Sequence, residues 1–128
     1  MTLQKLTPKE VEEWFDGAFK GDPEDARAWC ERTMSPNYLR FAAGRDRTDF
    51  ERAVEKVKLF RTICKKWVAP VTFLVQEENR ISGQMKVEMQ IGDGPEKKME
   101  LMFMATRDAQ GRFENMFELS SDLEEGAK

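Results

Sequence analysis

Between Val71 and Ser120, apolar and polar residues alternate through VTFLVQEE, RISGQMKVEMQI, KKMELMFMATRD and RFENMFELS, joined only through Glu78-Asn79, IGDGPE and DAQG. A period of two is the period of a β-strand, and joints this short connect antiparallel neighbours, so this part of the chain reads as a four-stranded meander. Such a sheet packs one face on a core. Alternation puts Val71, Phe73, Val75, Val87, Met89, Ile91, Met99, Leu101, Phe103, Phe113, Phe117 and Leu119 on that face. The other face is polar except for Leu74, Met102, Met104 and Met116, which cluster if the strands pair in register.

What covers the inner face lies upstream. In LTPKEV, Thr7 is an N-cap, Pro8 the first helical residue and Glu10 the partner in a capping box, while Leu6 and Val11 form a hydrophobic staple. That helix runs to about Lys20, before Gly21, with Val11, Trp14, Phe15, Ala18 and Phe19 on one stripe. DPEDARAWCER opens a second helix from Asp22 and buries Ala26, Trp29 and Cys30. A short strand from Asn37 to Ala43 gives way at Gly44 to the charged loop GRDRTD. Thr48 and Glu51 form a capping-box pattern for a long helix, roughly Asp49 to Trp67, with Phe50, Ala53, Val54, Val57, Phe60, Cys64 and Trp67 on its stripe, and Pro70 ends it. Helices, one strand, a long helix and then a meander make an α+β order.

The chain has 128 residues, enough for one domain with a real core, and a net charge of −3 with basic residues scattered among acidic ones, which argues against nucleic-acid binding. The sequence carries no run long and apolar enough for a membrane span and opens without the apolar run of a signal peptide, so a cytoplasmic location is the expectation. Cys30 and Cys64 lack a metal-ligand or redox spacing and read as reduced core residues. Histidine is absent, which removes the commonest acid and base at neutral pH and the usual zinc ligand. Neither a metal nor a cofactor is expected, and any chemistry must use carboxylates, Tyr, Lys, Arg or amides.

The order of elements, together with DARAW, YLRFAAG, TDFERAV and the closing DGPEKKMELMFMATRDAQGRFENMFELS, resembles the SnoaL-like branch of the nuclear-transport-factor-like cone fold over nearly the whole chain. The resemblance implies a cone-shaped curved antiparallel sheet wrapped around the N-terminal helices, an α+β barrel with an apolar pocket, and in many members a dimer through the outer sheet face. Relatives include ketosteroid isomerase, scytalone dehydratase, polyketide cyclases, epoxide hydrolases and binding modules without chemistry, so fold does not settle function. Scytalone dehydratase-like chemistry relies on histidine, which this chain lacks. Ketosteroid isomerase-like chemistry places a carboxylate near the end of the first strand, where the sequence reads Phe41-Ala42-Ala43-Gly44 and the nearest carboxylates are Asp46 and Asp49. In the polyketide cyclases the acid-base carboxylate belongs to the late strands, where alternation leaves Asn115 as the inward polar residue.

Candidate site residues follow, each with a structural alternative. Asn115 interrupts the apolar set of its strand and is either a ligand hydrogen-bonding group or an amide satisfied by backbone or water. Arg61 lies at the centre of the long helix's apolar stripe, where it holds a substrate carboxylate or carbonyl, pairs structurally with an acid, or snorkels past the edge. Tyr38 and Arg40 share one side of the first strand. Tyr38 is a general acid or carbonyl donor, or an amphipathic residue with a wet hydroxyl. Asp46, flanked by Arg45 and Arg47, is the carboxylate nearest the mouth, or else part of a solvated loop. Trp14, Phe15, Trp29, Phe103 and Phe117 are candidate lining residues if a pocket exists, and otherwise core. Glu88 falls on the outer face, and Gly92-Asp93-Gly94 is a hairpin turn. The resulting expectation is a cofactor-independent isomerase, cyclase or dehydratase acting on an apolar carbonyl compound, with a non-catalytic dimeric binding module as the alternative. A homodimer through Leu74, Met102, Met104 and Met116 is the expected assembly.

Overall fold

The computed structural model describes residues 3–42 and 46–123, so Ala43, Gly44 and Arg45 lie outside the described residues. Helix α1 spans Pro8–Phe19, and its capping box forms as read: Glu10 N–H donates to Thr7 Oγ1 at 3.1 Å and Thr7 N–H to Glu10 Oε1 at 2.9 Å. Gly21 follows at φ 126°, a left-handed conformation that favours glycine. A short 3-10 turn, Pro23–Asp25, leads into α2, Ala26–Thr33. Strands β1, Met34–Ala42, and β2, Asp46–Asp49, precede α3, Phe50–Ile63. The remaining strands are β3, Cys64–Val68, β4, Val71–Glu77, β5, Arg80–Ile91, β6, Lys97–Arg107, and β7, Phe113–Asp122.

Two boundaries differ from the sequence reading. The GRDRTD segment supplies β2, and the cap of α3 is Asp49, whose carboxylate accepts from Arg52 N–H at 2.9 Å, while Thr48 is buried within β2. The long helix also stops at Ile63: Cys64 is already extended, and Lys66, Trp67 and Val68 pair with Gln90, Met89 and Glu88 of β5. Trp67 therefore reaches the core from a strand. Its spacing from Val57, Phe60 and Cys64 fits a helical stripe equally well, so periodicity alone could not separate the two. Both cysteines are free, Cys30 buried and Cys64 partly buried.

Among the described residues seven strands form one sheet in the order β2-β1-β7-β6-β5-β3, with β4 also paired to β5. It is mixed rather than wholly antiparallel, because β1 runs parallel to β7. The expected meander of β4, β5, β6 and β7 is present, and the long β5 carries β4 along its first half and β3 along its second. Its concave side takes the helices, giving the α+β cone architecture. Val11 and Phe15 of α1, Trp29 and Cys30 of α2 and Val54 and Val57 of α3 pack there against Met85, Val87, Leu101, Phe103 and Phe113.

Two β-bulges change which residues face that core. Between Val71 and Phe73 the register with β5 shifts, so Leu74, opposite Gly83, turns inward while Phe73 and Val75 are exposed. Between Phe113 and Asn115 the register with β6 shifts in the same way: Met116 is fully buried, Glu118 faces Phe103 across the strands, and Phe117 and Leu119 are exposed. The inner set thus loses Phe73, Val75, Phe117 and Leu119, and the outer set loses Leu74 and Met116. Strict alternation fails because an extra residue, Thr72 or Glu114, reverses the parity of everything after it.

Candidate functional site

The aromatic core leaves a cavity of about 90 Å³ between α1, α3 and the inner faces of β1, β3, β6 and β7. Its floor follows from helical spacing: Trp14, Phe15, Ala18 and Phe19 come from one stripe of α1, and Ala53, Lys56, Val57 and Phe60 from one stripe of α3. Phe19 stacks on Trp67 with ring centroids 3.9 Å apart and planes 11° apart, and both rings line the cavity beside β3. Tyr38, Arg40 and Glu118 supply the polar part of the wall.

The hydrogen-bonding state of that wall is uneven. Tyr38 is 2% exposed and stands in the cavity wall. Burial raises its pKa strongly, and the nearby Glu118 charge adds to the effect, so the hydroxyl keeps its proton at neutral pH. Among the described residues, three buried side-chain nitrogens lack a partner, Trp14 Nε1, Trp67 Nε1 and Arg107 Nε, and both indoles belong to the cavity lining. Indole N–H can only donate. The spare polar capacity of the cavity is therefore dominated by donors, and each buried one without an acceptor costs stability.

One carboxylate enters the same wall. The Glu118 side chain is 11% exposed and takes two bonds from Arg40, Nε to Oε2 at 2.9 Å and Nη2 to Oε1 at 3.2 Å. The paired fork fixes the orientation of both groups. Burial alone would lower the Arg40 pKa, but the Glu118 charge outweighs it and the net direction is upward. Arg40 Nη1 also lies 3.6 Å from Asp46 Oδ2, and Lys56 Nζ donates to that same oxygen and to Thr48 Oγ1, the latter at 2.8 Å. Asp46 is held below the usual carboxylate range, first by its hydrogen bond from Lys56 and then by the charges of Lys56 and Arg52. The result is a chain of alternating charge, Glu118, Arg40, Asp46 and Lys56, along one side of the cavity.

The residues singled out in the sequence divide into three groups. Tyr38, Trp14 and Phe15 line the cavity, and Asp46 stands beside it, engaged by cations. Trp29 and Phe103 are packed core: the Trp29 ring covers Gly17, where a Cβ would fall 2.5 Å from the indole, and Phe103 packs on Phe15. Arg61, Asn115 and Phe117 lie elsewhere. The Arg61 side chain is only 4% exposed, yet Nε donates to Gly17 O and Nη1 to Asp22 O while the guanidinium lies 5.5 Å from the Trp29 ring centroid. It ties α3 to the end of α1 through backbone carbonyls, with Asp25 Oδ2 4.0 Å from Nη1. Asn115 donates to Thr106 Oγ1 across the outer face, and Phe117 stacks there on Phe41.

Three charged lining groups, Lys56, Arg40 and Glu118, were not singled out as site residues, and their signals differ. Lys56 shares helical spacing with Ala53, Val57 and Phe60, so its place was readable. Arg40 was paired with Tyr38 by strand parity. Glu118 had no local signal, because it reaches the cavity only through the bulge at Glu114.

No protein-family model matches the sequence, and no curated protein matches it. Solved structures do resemble the chain. An epoxide hydrolase/cyclase-like enzyme of pyran ring formation in the polyether salinomycin is 17% identical, with 87% of each chain covered and a TM-score of 0.69. A protein with a ketosteroid isomerase-like fold from Catenulispora acidiphila DSM 44928, in complex with trimethylamine, is 9% identical over 88% of this chain and 85% of that one, at a TM-score of 0.69. A protein of the SnoaL-like family from Agrobacterium tumefaciens strain C58 is 10% identical over 89% of this chain and 97% of its own, at 0.64. Likeness at these identities shows the fold: an α+β cone of the SnoaL-like and ketosteroid isomerase-like kind.

Proposed function

We propose, on the premise of that cone fold, that the chain is a cofactor-independent isomerase, cyclase or dehydratase that removes a proton next to the carbonyl of a small apolar compound. The observation that carries this reading is the pairing of spare donors with one inward carboxylate in a largely apolar cavity. A carbonyl oxygen accepts from the Tyr38 hydroxyl and from an indole N–H, which strengthens as negative charge moves onto that oxygen. Glu118 is the base: its carboxylate lines the cavity while Arg40 fixes its orientation, and it sits on the late strand where the family resemblance calls for a carboxylate. The proton taken by Glu118 returns to another carbon in an isomerase, or leaves with a hydroxyl as water in a dehydratase. Asp46, tied to Lys56 and Arg40, positions Arg40 instead of acting as the acid-base group.

Solvent-deuterium exchange next to the carbonyl of butanone, followed by proton NMR in D2O, tests this without knowledge of the natural substrate. The wild-type protein is expected to accelerate exchange over buffer. Glu118→Gln should lose ~100-fold or more of that acceleration, and Tyr38→Phe a smaller part. A Glu118→Gln variant that exchanges as fast as wild type rules out the assigned base. A wild-type protein that does not accelerate exchange favours the second reading, a dimeric module without chemistry. That reading draws on the exposed outer face, where Phe73, Val75, Met102, Met104, Phe117 and Leu119 adjoin one another through the strand register. A homodimer through this face is proposed under either reading.

A further inference from the structure

The cavity of about 90 Å³ is well below the roughly 300–1,000 Å³ typical of pockets that enclose a whole ligand. It has room for a polar head of a few heavy atoms and none for a fused ring system. The rest of any ligand must lie outside, and among the described residues an apolar groove lies beside the cavity wall. Leu101 lines the cavity, and Met99, two residues earlier, is on the same face of β6. Trp67 lines the cavity too, and its register partner on β5 is Met89. Both methionines pack against the core from its edge, and with Ile91 and Pro95 they line a groove of about 420 Å³. Cavity and groove together reach the size range of ligand pockets.

We infer that the substrate class is a linear amphiphile, with a hydrogen-bond-accepting head in the aromatic cavity and an unbranched apolar tail along Met89, Ile91 and Met99. The inference rests on the reading of the cavity as a carbonyl site and names what that reading leaves open. Wall chemistry favours a tail over a rigid body: methionine is unbranched and flexible, and adapts to chains of different length without a fixed shape. The groove is apolar, and its charged edge, Lys97, lies at its far end from Leu101 along β6. A tail therefore gains affinity by area removed from water, one methylene at a time.

Binding of straight-chain methyl ketones, from butanone to 2-decanone, to the full chain tests this, with quenching of the Trp14 and Trp67 fluorescence as the signal. Each added methylene is expected to tighten binding by ~4-fold until the groove is filled. Met99→Ser and Met89→Ser should flatten that slope, so that their loss of affinity grows with chain length. Ketones that bind with no dependence on chain length overturn the groove while leaving the carbonyl site standing. Variants that weaken all members equally overturn it as well. If no member binds, the carbonyl site and the groove fall together. The wild-type slope stands by itself should either serine variant fail to fold.

Discussion

Phe103 and Met104 are adjacent in β6 and opposite in circumstance: the first is 1% exposed, against Phe15 and the backbone of Gly83, and the second is 61% exposed. The two faces of the sheet repeat this contrast along its width. Both are apolar, yet the inner face is closed by helices and aromatic rings, while the outer face is bare in a single chain. Apolar content alone therefore does not identify the core side of a strand. Closure by other elements does, and the inner face is marked further by the polar groups it encloses, Tyr38, Arg40 and Glu118.

The sharpest way to break the comparison is to truncate each neighbour. Phe103→Ala should cost ~3–5 kcal/mol of unfolding free energy in urea, from lost transfer and a cavity that cannot collapse against α1. Met104→Ala should change it by less than about 0.5 kcal/mol in a dilute protomer. Equal losses at the two sites would abolish the distinction between the faces.

A smaller effect concerns the turn that sets the entry to β7. Asp108 accepts from Gln110 N–H, Arg112 N–H and Arg112 Nε, all within 3.0 Å. Burial alone would raise its pKa from 3.8, but the Arg112 bonds outweigh it and the carboxyl is lowered. The unfolded chain thus takes up this proton at a higher pH than the folded one. The contribution is complete above about pH 4 and disappears as pH falls through the folded pKa. Asp108→Asn should lower stability by about 1–2 kcal/mol at pH 7 and flatten the acid limb of the stability curve. An acid limb identical to wild type would remove Asp108 from the account of the turn.

The smallest change in protomer stability is expected from Met104→Glu, within about 0.5 kcal/mol, yet this variant should have the clearest effect on assembly. If the outer face is a homodimer seam, size-exclusion elution moves from dimer to monomer. A dimer that persists with the glutamate present would place the seam elsewhere.

Much of the fold was readable because its signals are local. Thr7 with Glu10, the alternation in each late segment and the turns at Gly92 and Gly111 each depend on residues close in sequence. The end of α3 was less readable, since Trp67 satisfies a helical and an extended period at once. The site was readable only in part. Tyr38, Trp14 and Phe15 follow from parity and helical spacing, and Lys56 could have been found in the same way. Glu118 and Asn115 exchanged places, as did Leu74 with Phe73 and Met116 with Phe117, because a bulge is decided by how β7 meets both β6 and the Pro36-containing start of β1. That is a property of three strands together, and no window along one of them contains it.

The bulge at Glu114 also bears on how such a protein changes over generations. Substituting residues in β7 alters one contact at a time, whereas deleting Glu114 would carry Phe117 and Leu119 inward and send Met116 and Glu118 to the solvent side. The same ten-residue strand encodes two surfaces in alternate letters, and a single codon lost or gained decides which one the interior reads. Length variation at this position is therefore a route by which a lineage could exchange an interior acid for a ring without a substitution.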